Sequence, residues 1–386
     1  MFASLRPYAC LRRPAGSSVR MLSSSAAVKP KTAIVMLNMG GPAQPSETKS
    51  FLTRLFSDND IIEFGGGWKQ KMLADFIVRF RSPKVQKQYE EIGGSPIRKW
   101  TEYQGEQLAK KLDKERPESA PHKAYVCFRY AHPLTEEALT KMKADGVQRA
   151  IAFSQFPHWS CTTTGSSMNE LWRQVKSMGM EDDIKWSLID RWPLHPKFID
   201  SVVGRMTEKM KEFDESAQSK VLVVFSAHSV PMKVVAKGDV YVNEVSATCK
   251  AIMERWEAVG NKNKHVVAWQ SKVGFMPWMV PSTEDTIKSL GKKGAKHVLV
   301  VPIAFTTDHI ETLYEIGIEY AEEAEEAGIT NFKYTEGLND SPMFIDALTD
   351  IVSKHLDEEM NHSVQYAQKC LNCQKPMCRQ IVNPAF

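Results

Sequence analysis

The sequence predicts an α/β protein built from two similar doubly wound halves with parallel sheets, sharing one cleft. Three observations carry that reading. Short apolar runs alternate with longer amphipathic stretches, the rhythm of βαβ units. Most runs are rich in Val, Ile and Ala and apolar on both alternating faces, as strands covered by helices on both sides must be. One stretch also recurs: Pro133-Leu-Thr135-Glu136, a helical segment, Gly146 and the run Arg149–Phe153 return 148 positions later, without a gap, as Pro281-Ser-Thr283-Glu284, a helical segment, Gly294 and His297–Val301. In each copy Thr-Glu suits a helix start, and the glycine suits its C-terminal cap.

Residues 1–28 stand apart. Arg6, Arg12, Arg13 and Arg20 come with Ser4, Ser17, Ser18, Ser23, Ser24 and Ser25, and the first acidic residue is Glu47. A basic, Ser-rich, acid-free start is the signature of a mitochondrial transit peptide. The strands that follow are expected at Thr32–Asn38, Lys123–Tyr130, Arg149–Gln155, Lys185–Asp190, Lys220–Ser226, His265–Gln270, His297–Phe305 and Asn331–Tyr334. They divide the chain into an N-terminal half, 29–190, and a C-terminal half, 191–358, followed by a Cys-rich extension, 359–386. Between the first two strands, Phe56, Ile61, Ile62, Phe64, Trp68, Met72, Leu73, Phe76, Ile77 and Phe80 mix with Lys69, Lys71, Arg79, Arg81 and Lys84. Such a mixture suits a lip resting on an anionic membrane, or a packed core.

The chain has 386 residues, 42% hydrophobic and 25% charged, with a formal net charge of +4. Nothing approaches the ~18 consecutive apolar residues of a membrane span, and so mild a charge gives no reason to invoke nucleic acid.

Ligands of doubly wound sheets sit outside the carboxyl ends of the strands, so chemistry is sought there. The run Lys220–Ser226 leads to His228, just past its end and before Pro231. A neutral imidazole there can bind a metal or take a proton near pH 7. The run ending at Phe305 leads to Asp308, His309 and Glu311, then to Glu315 and Glu319. A helix would stack the three glutamates on one face, either as a solvated acidic row or as a path for protons or divalent cations. The loop Trp269–Trp278 is rich in aromatic and Met side chains, and Met39 follows the first strand; both suit a flat apolar ligand. Cys370, Cys373 and Cys378 can surround one metal centre but need a further ligand, for which Cys161 in a polar loop is the best distant candidate. Spacing alone does not separate an iron–sulfur cluster from zinc. Cys127 lies in an apolar strand and reads as core.

The segments Ser226-Ala-His228-Ser-Val-Pro-Met232, Phe305-Thr-Thr-Asp308-His309-Ile-Glu311-Thr-Leu-Tyr-Glu315, Phe128-Arg129-Tyr130-Ala-His-Pro133 and Trp269-Gln-Ser-Lys-Val-Gly274 together resemble the ferrochelatase family. The likeness runs from about Lys31 to Cys378, and the terminal cysteines resemble those of the animal members. It implies two Rossmann-like, chelatase-like halves around a porphyrin cleft, with insertion of Fe2+ into protoporphyrin IX as the activity. It implies catalytic roles for His228, Asp308, His309, Glu311 and Glu315, the acids opposite the imidazole, and also for His195 and Asp350. Arg81, Tyr89 and Ser95 match porphyrin-binding positions, and Met39, Arg129 and Trp278 match the pocket lining. Cys161, Cys370, Cys373 and Cys378 would hold a [2Fe–2S] cluster. A homodimer bound peripherally to the matrix side of the inner mitochondrial membrane is implied as well. Two other classes compete: a non-catalytic porphyrin or haem carrier, and an iron–sulfur redox protein.

Overall fold

A computed structural model describes residues 30–61, 67–274, 276–358, 361–373, 375, 376 and 378–381. The expected leader, and Ile62 and Phe64 of the lip, lie outside the described residues.

Among the described residues eight strands form: β1 Thr32–Asn38, β2 His122–Phe128, β3 Arg149–Ser154, β4 Lys185–Ile189, β5 Leu222–His228, β6 His265–Gln270, β7 His297–Pro302 and β8 Asn331–Tyr334. They make two four-stranded sheets, ordered β2-β1-β3-β4 and β6-β5-β7-β8. Every neighbouring pair is parallel. The all-parallel pairing demands helical crossovers, and helices cover both faces of each sheet. Ile34, Met36, Ile151 and Phe153 of the first sheet share one core with Val223, Phe225, Leu299 and Val301 of the second, through helices Pro196–Met210, Tyr241–Ala258 and Pro342–Asp357. The alternate residues Val35 and Leu37, and Val298 and Val300, turn to the outer faces and pack on separate clusters. Helix Ile97–Glu115 and the residue after it reach across to helix Pro342–Asp357 through the ion pairs Lys111–Asp346 and Arg116–Asp357. The Gln104 amide donates to Asn339 O at 2.7 Å on the same side.

The repeat is visible in three dimensions. Helices Thr135–Ala144 and Thr283–Lys292 start where Thr-Glu recurs. Gly146 and Gly294 follow them with φ of 67° and 86°, conformations that glycine adopts at no steric cost. In both halves the third strand leads into a π-helical turn, Cys161–Gly165 after β3 and Glu311–Glu319 after β7.

Two sequence expectations need correction. β5 runs to His228 rather than ending at Ser226, because the ladder continues through Ala227–Trp269 and His228–Gln270. The acidic segment is a π-helix, not an α-helix: Tyr320 N–H reaches Glu315 O, five residues back. Gly317 belongs to that widened turn, where a Cβ would lie 2.8 Å from the Tyr334 hydroxyl.

Candidate active site

A cleft of about 1800 Å³ opens beyond the carboxyl ends of β1, β2, β3, β5, β6 and β7 and beneath helices Thr48–Ser57 and Gly67–Glu91. The end of β5 presents His228 on its wall, and the π-helical turn after β7 presents Glu311 beside it. His228 Nδ1–H donates to Glu311 Oε1 at 2.9 Å. This corrects the expectation that the imidazole and the acids face one another across the slot: they form one pair on one wall. The neighbouring strand explains the contact. Ser226 Oγ–H donates to Gln270 Oε1 at 2.5 Å, which turns the Gln270 amide nitrogen toward Glu311 Oε2 (3.1 Å) and Glu315 Oε2 (3.4 Å). Ser271 Oγ–H donates to the same Glu315 oxygen at 2.5 Å.

The electrostatics divide the two acids. Burial pushes Glu311 upward, but the His228 imidazolium at hydrogen-bond distance outweighs it and holds the carboxyl below the usual carboxylate range. His228 itself is 39% exposed at its side chain; burial lowers its proton affinity and the Glu311 charge more than restores it, for a net rise. Among the described residues no imidazole stands within hydrogen-bond distance of Glu315, and His228 pulls on it only from further off. Burial and the Glu311 charge push it up to about 8. At neutral pH the wall therefore carries an ion pair next to a protonated acid. His309 is buried behind the pair, its Nδ1 3.1 Å from Thr307 O and its ring against Phe305. Its Nε2 lies 3.7 Å from Glu311 Oε2 and has no hydrogen bond among the described residues.

Helix Gly67–Glu91 forms the opposite wall, and its Arg81 and Tyr89 line the cleft. Burial raises the Tyr89 pKa, and the charges of Glu311 and Glu315 raise it further. Burial lowers the Arg81 pKa, against the pull of Glu315. Further out, burial raises Glu319, which Lys84 and Gln88 of the same helix counter. Met39 and Trp278 complete the lining, with Trp278 Nε1–H anchored on Val273 O at 2.9 Å.

Other predicted residues lie behind the walls. Asp308 does not reach the cleft lining: its oxygens accept from Gly337 N (2.8 Å) and Asn339 Nδ2 (2.6 Å), tying the loop after β7 to the loop after β8. Ser95 is buried against Gly41, and its backbone N–H donates to Pro42 O. Arg129 is not among the lining residues; its guanidinium lies 3.2 Å from Asp58 and 3.6 Å from Glu170, with Nε–H donating to Ser166 Oγ. His195 and Asp350 meet each other at 2.9 Å, outside the cleft, where Lys197 and Lys354 share the carboxylate. Sequence reasoning missed Gln270 and Ser271. Both stand in the Trp269-Gln-Ser-Lys segment, where the tryptophans drew the reading toward an apolar wall.

Cys161, Cys370, Cys373 and Cys378 all line the same cavity. Asp239 Oδ2 accepts from Cys161 N (2.7 Å) and fixes the start of its π turn. Burial raises the Cys161 and Cys370 thiols and pushes Cys378 up to about 11. Among the described residues no three potential ligands are drawn to a common metal-binding centre. Lys375, in the same loop, bonds to Asn59 O (2.9 Å) and Asp60 Oδ1 (3.0 Å), which ties the extension to the base of the lip.

The lip presents Trp68, Met72, Phe76 and Phe80 to solvent, at 70%, 55%, 62% and 66% exposure. Among the described residues no helix is long and apolar enough to cross a membrane.

The family model described as Ferrochelatase matches residues 31–356. The chain is 48% identical to the mitochondrial ferrochelatase of Gallus gallus over 354 residues, covering 91% of this chain and 87% of that one. It is 48% identical to the Schizosaccharomyces pombe protein of the same name over 363 residues, covering 94% and 84%. To the Homo sapiens protein it is 48% identical over 354 residues, covering 91% and 82%. Among solved structures, SirB from Bacillus subtilis with Fe3+ aligns at a TM-score of 0.48 and 10% identity, over 86% of this chain and 98% of that one.

Proposed function

This chain belongs to the ferrochelatase family, and from that membership we propose how its cleft performs the family's reaction. The chain is a metal chelatase of haem synthesis that inserts Fe2+ into protoporphyrin. The macrocycle lies between the wall of His228, Glu311 and Glu315 and the wall of Arg81 and Tyr89, with Met39 and Trp278 against its apolar surface. The observation that carries this is the 2.9 Å His228–Glu311 contact at the strand ends, in a cleft that also presents the apolar side chains of Met39, Phe56, Phe80 and Trp278.

The reaction exchanges one Fe2+ for two pyrrole protons, so the ring keeps its charge while the site must dispose of both protons. An imidazolium is no base, and the resting pair holds its proton on His228. An approaching dication repels that proton onto the Glu311 carboxylate, leaving a neutral imidazole to take one pyrrole proton; the second goes to Glu315 once its own proton has left outward. Glu315, pushed up to about 8, gives and takes protons readily near neutral pH and suits transfer outward past Glu319. His309 Nε2 and Glu311 Oε2 stand 3.7 Å apart, with Nε2 making no hydrogen bond among the described residues, which leaves a place for a proton or the metal between them. Asp308 acts by fixing the loop that carries His309 and Glu311. Ser95 and Arg129 act by supporting the walls, and His195 with Asp350 acts from outside the cleft. Contacts at the ring periphery offset the distortion that exposes the nitrogen lone pairs.

Four thiols lining one cavity fit a [2Fe–2S] cluster by the chemistry of the donor set, and Cys161, Cys370, Cys373 and Cys378 would hold it. When bound, such a cluster cross-links the extension to the loop after β3 and supplies one-electron redox capacity. Neither a carrier nor a redox protein as the main function draws support from relatives that are named ferrochelatases.

The relatives' names support a mitochondrial address. The finer reading is peripheral attachment to the matrix side of the inner membrane, supported by the exposed aromatic lip with its interleaved cations. Residues 1–28 serve as the transit peptide, and a homodimer follows from the family resemblance. An absorbance assay of metalloporphyrin formation with Fe2+ under anaerobic conditions tests the activity; a folded, iron-supplied protein that leaves the porphyrin spectrum unchanged overturns it.

A further inference from the structure

Among the described residues three non-glycine residues hold left-handed backbone: Ser271 (φ 63°), Asn339 (φ 30°) and Arg379 (φ 67°). Each aims a side-chain donor at an acid or a thiol. Ser271 donates to Glu315, Asn339 to Asp308, and Arg379 Nη2–H to Cys370 Sγ at 3.4 Å. Strained backbone persists where the surroundings over-determine it and collects at functional sites. The first two strained residues serve the loops of the active cleft. The third serves the thiols.

Arg379 is a buried cation, 4% exposed. Its Nη1 donates to Gln365 O and Tyr366 O, both at 3.2 Å, while its Nε is buried without a hydrogen-bond partner among the described residues. Its guanidinium lies 5.1 Å from the centre of the Trp159 ring, and Arg191 lies 5.1 Å from the same ring. The two arginines differ in one respect. Arg191 is met by Asp190 at 2.8 Å and Glu244 at 2.7 Å, whereas no carboxylate among the described residues lies within 4.0 Å of Arg379. A buried charge without a counter-charge is strongly destabilising, so the place it points to must supply an anion.

Resting on the reading that the four thiols hold a [2Fe–2S] cluster, we infer that Arg379 is the built-in counter-cation of that cluster. Four thiolates around two ferric ions and two sulfides carry net negative charge, and one unit more on reduction. The guanidinium stabilises that charge in both states and the reduced one more. In the stripped protein it is an uncompensated buried charge. One residue thus has opposite effects on the loaded and the stripped chain, which a merely structural arginine would not.

The test compares wild type, Arg379→Gln and Arg379→Lys as purified, loaded protein and after removal of iron with a chelator. Iron and sulfide content and the visible spectrum come first; wild type without either overturns the cluster reading and this inference together. With wild type loaded, Arg379→Gln is expected to lower the melting temperature of the loaded form, raise that of the stripped form, and shift the cluster's midpoint potential to more negative values. Iron retention against the chelator should weaken about tenfold or more, the usual cost of losing a second-sphere partner. Arg379→Lys, which keeps the charge, should recover most of the potential. Equal losses of melting temperature in both forms, with an unchanged potential, leave the cluster reading standing and overturn the inference alone.

Discussion

Replacing His228 by alanine separates chemistry from architecture. Wild-type Glu311 keeps its charge through a 2.9 Å contact with the imidazolium. Without it, burial governs, and Glu315 shows the outcome: a buried acid one turn away, pushed up to about 8. In His228→Ala, burial therefore pushes Glu311 upward, toward its protonated form, instead of leaving a bare charge, and its hydrogen bond from Gln270 survives. The fold loses one partly exposed hydrogen bond, about 1–2 kcal/mol. Turnover loses a positioned proton acceptor, roughly 10²–10⁴-fold, or about 3–5 kcal/mol in the barrier. The assay is metalloporphyrin formation by absorbance, with porphyrin affinity from tryptophan quenching and stability from urea unfolding as controls. A folded His228→Ala protein that binds porphyrin and turns over within about threefold of wild type refutes the assignment, because no proton acceptor of that kind is worth so little.

Glu315 and His158 give the stability curve slopes of opposite sign. Glu315 has a raised folded-state pKa, about 8 against an ordinary 4.5, so its contribution is complete below 4.5 and is lost as pH rises toward 8, at about 1.4 kcal/mol per pH unit. Glu315→Gln should flatten urea-unfolding free energies over that window; an unchanged slope would show that the acid is not held neutral. His158 is fully buried, with Nε2 2.9 Å from Thr248 Oγ1, and burial pushes it down to about 3 from an ordinary 6.5. Its contribution is complete above 6.5 and falls as pH drops toward 3, with about 2 kcal/mol lost by pH 5. His158→Gln should remove that share of the acid sensitivity, and the same urea series measures it. On the lip, Phe80→Glu should weaken sedimentation with cardiolipin-containing vesicles while leaving the melting temperature within about 1 °C, since Phe80 is 66% exposed and surface changes cost little. Equal binding by both proteins counts against the lip as the membrane contact.

The fold was legible because its physics is local. Strands buried on both faces read as apolar runs, and the recurring Thr-Glu and Gly positions mark the helix ends at Thr135, Gly146, Thr283 and Gly294. Strand ends were less so. β5 extends to His228 because Gln270 on β6 offers it a partner, and no residue of β5 reports what its neighbour offers. The acids of the site were legible as a row after an apolar run. Their surroundings were not, since a chain read alone does not say which of Asp308, Glu311 and Glu315 turns inward. Asp308 is spent on Gly337 and Asn339, 29 and 31 residues on. Arg129 is spent on Asp58 and Glu170.

The split between Glu311 and Glu315 is what makes the wall chemically useful. Two like acids one turn apart would ordinarily repel and titrate together, as a solvated acidic face does. Here β5 supplies an imidazole to the first and not to the second, and β6 supplies one amide that touches both. The first acid becomes an anion that holds a proton on its neighbour, and the second becomes an acid that releases one near neutral pH. Titratable groups whose environments push their pKa values apart mark the donor and the acceptor of a proton-transfer site. Three strands and one π-helical turn must converge to arrange it, which is why the ionic pairing belongs to the fold and not to the acidic motif. Transplanting the segment Glu311–Glu319 onto a helix without β5 and β6 beside it should give three carboxyls that titrate together near their ordinary values, a result that carboxyl NMR titration of the isolated peptide would reveal directly; a peptide that kept Glu315 near 8 would place the cause in the segment itself and sink this account.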